Sequence, residues 1–86
     1  MENIFTFKSR SPFFEKEREG VKNNTVRKVD LDDNRFLELI SWNEQGYNDG
    51  DIKIKIVRSD DQNDFFIRQI KDISNWGDLM IITWMI

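Results

Sequence analysis

The chain is 86 residues long, 38% hydrophobic and 34% charged, with a formal net charge of −3. That length admits one domain spanning 1–86. It contains no Cys and no His, which excludes disulfides, thiolate metal sites, Cys or His nucleophiles and imidazole acid–base chemistry.

Seven Phe, three Trp and one Tyr must supply much of the core, since each buried aromatic removes roughly 150–250 Å² from water. A small domain held together by packing without disulfides fits a reducing compartment, so a cytoplasmic location is expected. The opening MENIFTFKSR lacks a long apolar stretch, and no run approaches the ~20 apolar residues of a membrane span. No membrane partner is expected. Charge is uneven along the chain. Residues 1–28 hold seven basic and four acidic side chains, residues 29–51 one and seven, and the remainder five of each. Such a chain does not coat nucleic acid through bulk electrostatics. Any nucleotide contact is expected in a local pocket on the basic N-terminal side.

In chain order, residues 4–9 alternate as a strand, with Phe5 and Phe7 on one face and Ile4, Thr6 and Lys8 on the other. Ser11-Pro12 opens a short helix with Ser11 as the expected cap, Phe13 and Phe14 give it an apolar edge, and Gly20 ends it. A second strand covers 25–29. A second helix starts at Asp32 or Asp33 and shows Phe36, Leu37, Leu39 and Ile40 on its apolar face. After the polar turn 43–50, residues 51–58 alternate as a third strand, 65–73 form a fourth and 79–86 a fifth, with SNWGD as the last turn. Alternation predicts Val26, Ile52, Ile54, Ile56, Ile67, Ile70, Ile81 and Ile82 inside, and Lys53 and Lys55 outside. The last three strands are joined too closely for parallel crossovers, so they form an antiparallel meander. The predicted fold class is α+β: a small, partly closed β-barrel of about five strands with two short helices. An open α+β sandwich is the alternative.

The stretch Gly20-Val21-Lys22-Asn23-Asn24-Thr25-Val26-Arg27 carries the chemistry. Strand alternation puts Thr25 and Arg27 on one side, and Lys22 in the preceding turn can fold over it. A hydroxyl, a planar guanidinium fork and an ammonium then converge on one spot suited to anionic or carbonyl-rich ligands. Arg27 could instead pair with Asp51 or Asp30 at the surface. Among the tryptophans, Trp76 is the one expected to be exposed for stacking on a base, whereas Trp84 is expected in the core. Asp30, Asp32 and Asp33 read as a solvated helix start rather than a metal site, and Asp60, Asp61 and Asp64 as a polar loop. No metal and no cofactor are expected.

Read as GxKxxTxR after a short helix and before a strand, this stretch resembles the motif of the ASCH domain family, one of the PUA-like barrels. Gly50-Asp51 followed by IKIKI is similar to that family's downstream Gly-Asp element, and the element order matches over most of the chain. The resemblance implies a PUA-like barrel that binds RNA or a modified nucleobase or nucleotide. Its pocket would comprise Lys22, Thr25 and Arg27, with Asp51 orienting Arg27. It also implies an alternative, since some members are amidohydrolases that deacylate N4-acetylcytidine with a Lys, a Thr and a Glu. Lys22 and Thr25 match the first two. The glutamates after the motif are Glu38 and Glu44, and neither stands at a matching position. A third reading is a protein-interaction or regulatory domain of a mobile element, which a large exposed apolar patch away from the motif would favour.

Overall fold

The computed structural model describes residues 3–46 and 52–85. Its elements are β1 (Asn3–Ser9), α1 (Phe13–Arg18), β2 (Asn24–Lys28), α2 (Asn34–Gln45), β3 (Ile52–Arg58), β4 (Asp61–Trp76) and β5 (Leu79–Trp84). The fold is α+β, with one five-stranded mixed sheet in the order β1-β3-β4-β5-β2. β1 runs parallel to β3, an arrangement that needs the long crossover through α1, β2 and α2. The other pairings are antiparallel, and β3-β4-β5 is the expected meander.

β4 is longer than the sequence pattern suggests. It begins at Asp61 rather than in a loop and continues through Trp76, so the turn is confined to Gly77 and Asp78. Gly77 adopts φ 62°, a value that favours glycine. The first part of β4 pairs with β3 and the second part with β5. A register shift between Ile70 and Asp72 marks the change of partner. Ile70 and Ile73 are both buried although three residues apart, which an unbroken two-residue period forbids. The extra residue at the shift restores the inward side and bends the strand.

The helices close the core. α2 starts at Asp33, whose side chain accepts from the Arg35 backbone N–H, and it buries Phe36 and Leu39 while Leu37 stays exposed. In α1 the cap position falls to Pro12, which makes no side-chain cap. Ser11 Oγ instead donates to Glu15 Oε1 at 2.6 Å. Phe14 is buried, and Phe13, one residue away, is exposed. Ile52, Ile54 and Ile56 point inward as expected, packed with Phe5, Phe7, Phe66 and Trp84. Lys53 and Lys55 are half-exposed, and the Lys55 ammonium lies 4.2 Å from the centre of the Phe65 ring. Three expectations fail: Val26 and Ile67 are exposed and Ile81 is only half-buried. The reason for Val26 is that β2 turns Thr25 inward, 4% exposed, opposite the fully buried Ile82. Its neighbour in sequence must then face out.

The sheet curls without closing, because its edge strands β1 and β2 do not pair. In β1, Ser9 C=O faces β3, where it accepts from the Ser59 N–H. The carbonyls of Thr6 and Lys8 therefore face the other way, into the open seam. Arg35 donates to Thr6 O and Arg27 donates to Lys8 O. Two guanidinium groups thus occupy an edge that would otherwise invite another strand.

The inversion at β2 has a direct consequence for stability. Ile82→Ala is expected to cost about 2–5 kcal/mol because it leaves a cavity in the core, whereas Val26→Thr should stay within about 0.5 kcal/mol of wild type. Urea denaturation of the two variants checks this. A large loss at Val26 with none at Ile82 would reverse the facing of both strands.

Candidate functional site

Where the seam stays open, a cleft of about 440 Å³ forms. The end of β1 supplies Lys8, Ser9 and Arg10, α1 supplies Phe13 and Glu17, and the motif supplies Lys22, Thr25 and Arg27. Gly20, at φ 82°, ends α1 and turns the chain back. The Lys22 N–H then donates to Lys16 O at 3.0 Å, fixing the turn that precedes β2. Asn23 anchors the start of β2, accepting at its carbonyl from the Trp84 N–H and donating through Nδ2 to Trp84 O.

Arg27 is the organising side chain. Its Nε donates to Thr25 Oγ1 at 2.9 Å and its Nη2 donates to Lys8 O at 2.8 Å, so one guanidinium ties β2 to β1 across the seam. Its plane sits 5.3 Å from the centre of the Phe7 ring, which Arg35 also approaches, at 4.4 Å. Burial pulls the Arg27 pKa below its ordinary value. The Glu17 carboxylate opposes this, and Arg35 adds to the lowering. An arginine stays charged through shifts of this kind. The other N–H groups of the fork make no further hydrogen bond to the described residues.

Lys22 lies at the lip, its ammonium 5.4 Å from the centre of the exposed Phe13 ring. The backbone of β2 adds to the site. Asn23 and Val29 direct their polar groups toward β5, so strand alternation turns those of Asn24, Val26 and Lys28 toward the seam.

Glu17 was not singled out by sequence reasoning. It sits in the charged run EKERE, yet it is 1% exposed and borders the cleft. Ser9 Oγ donates to its Oε1 at 2.5 Å. The available signal was its spacing, because Phe14 and Glu17 are three apart and share the buried side of α1.

Lys22, Thr25 and Arg27 are therefore brought together. Trp76 is not with them: it is 79% exposed on the outer face of the sheet, paired with Leu79, and does not line the cleft. Asp51 and Gly50 lie outside the described residues. Glu38 borders a separate depression beside Trp42, and neither it nor Glu44 lines the cleft. Among the described residues no cluster of three or more acidic side chains is arranged to hold a metal ion, and no helix is long and apolar enough to cross a membrane. No protein-family model matches the chain, and a search of curated proteins returns no match.

The two bonds of Arg27 set an expectation for its substitution. Arg27→Lys keeps the charge but cannot reach Thr25 and Lys8 together, so it should destabilise the fold by about 1–2 kcal/mol. Thermal unfolding measures this effect. Stability equal to wild type would mean that the tie across the seam contributes nothing.

Proposed function

We propose that this chain is a single ASCH-like, PUA-like domain of the cytoplasm that binds RNA or a nucleobase or nucleotide, modified bases included, in the cleft at the open seam. The observation that carries this reading is the convergence of Lys22, Thr25 and Arg27 on one concave site between two unpaired strand edges. Backbone donors and acceptors along β2, the unused fork donors of Arg27 and the ammonium of Lys22 form a set suited to a planar heterocycle carrying phosphate. Cations and a carboxylate in the same cleft also suit a base edge better than a plain anion.

The alternative is hydrolysis of an N4-acyl nucleoside by Thr25 with Lys22. In its favour, Glu17 brings a carboxylate into the same cleft. Against it, no base among the described residues accepts from the Thr25 hydroxyl, whose one side-chain bond is received from Arg27 Nε, and a threonine nucleophile needs a base to take its proton. The binding reading is therefore preferred.

Thr25→Val separates the two, because valine keeps the β-branched shape and removes the oxygen. A binding domain shows no turnover of N4-acetylcytidine in the wild type, and the variant loses about 0.5–1.5 kcal/mol of nucleoside affinity. Deacylation by the wild type, abolished in Thr25→Val and Lys22→Ala, would replace the binding reading with the enzymatic one.

A further inference from the structure

The cleft combines a buried carboxylate with more exposed cations. At its inner wall is Glu17, 1% exposed. At its mouth are Lys8 and Arg10, both exposed, and the half-buried Lys22. A carboxylate this deeply buried normally has a cationic partner, since leaving water is costly for an unpaired charge. Among the described residues Glu17 has no ion pair, and its one hydrogen bond comes from the Ser9 hydroxyl to Oε1. Its Oε2 accepts no hydrogen bond from the described residues, and it is not sealed away as a buried, unsatisfied atom.

The field of the Arg27 guanidinium offsets part of the cost of burying Glu17, although no direct bond joins them. An N–H placed in the cleft would find the second carboxylate oxygen able to accept it, whereas an anion would be repelled.

We infer that Glu17 receives the N–H edge of a nucleobase, so that nucleotides bind base-inward with their phosphate held at the mouth by Lys8, Arg10 and Lys22. This rests on the nucleotide-binding reading above and goes beyond it by naming the inner recognition group and the orientation. Arg27 lines the same cleft, and its N–H groups beyond the bonds to Thr25 and Lys8 would meet the acceptors that flank an N–H on a base edge.

The test compares ribose 5-phosphate with the four ribonucleoside 5′-monophosphates by calorimetry on the full chain. At least one nucleotide should bind about tenfold or more tightly than ribose 5-phosphate. Glu17→Gln should remove about tenfold of that advantage, since it replaces a charge-assisted bond by a neutral one, while leaving ribose 5-phosphate binding no weaker. Should the variant fail to fold, the carboxyl ¹³C resonance of Glu17 in the wild type decides, and it should move with the nucleotide and not with ribose 5-phosphate. Ribose 5-phosphate binding as tightly as every nucleotide, a nucleotide advantage untouched by Glu17→Gln, or an unmoved Glu17 resonance would overturn the inference while leaving the cleft a nucleotide site. Binding of none of the five compounds would overturn both.

Discussion

The fold depends on how it treats two strand edges that never meet. β1 and β2 end the sheet on opposite sides, yet the Arg27 guanidinium reaches from one to the Lys8 carbonyl of the other. A side chain thus does across the seam what a backbone ladder does elsewhere. A ladder would have filled the gap, whereas a single planar fork holds the edges together and leaves room beside it. The cleft follows from that substitution, and so does the inward facing of Thr25, whose hydroxyl accepts from the same guanidinium.

Such a tie must be kept in place by its surroundings. Phe7 offers its ring to both Arg27 and Arg35, and Arg35 is held by Asp33 at the start of α2. Arg35 also covers the next free carbonyl of β1, at Thr6. Helix capping, edge protection and the shape of the site are therefore one connected arrangement along the seam. The Asp33 carboxyl is pulled below its ordinary range by its hydrogen bonds from Arg35, consistent with that role. Facing this basic edge, Glu17 supplies the opposite charge from α1, and its field acts on Arg27 across the cleft.

Much of this was legible in the sequence where local periodicity is strong. The alternation of Ile52, Ile54 and Ile56 fixes the inward face of β3, the spacing of Phe36 and Leu39 fixes α2, and the short connections force the meander. The parallel pairing of β1 with β3 and the edge position of β2 join residues far apart in sequence and leave no local mark. The length of β4 was missed because its polar end, Ser74-Asn75-Trp76, resembles a turn, although the three-residue step from Ile70 to Ile73 does signal a bulge within a strand. At the site, Thr25 and Arg27 do share one face with Val26 on the other, as alternation requires, but it is the polar face that turns inward, against simple hydrophobic patterning. Glu17 escaped notice because four charged neighbours disguise a position whose phase on α1 matches Phe14.

The claim that the open seam is the ligand site is tested most directly by mapping backbone amide shifts while an equimolar mixture of the four ribonucleoside monophosphates is added to ¹⁵N-labelled protein. The shifts should concentrate in Lys8–Arg10 and Lys22–Arg27, on the two facing edges. Shifts centred instead on Trp76, Leu79 and Ile81, on the outer face of the sheet, would contradict the account.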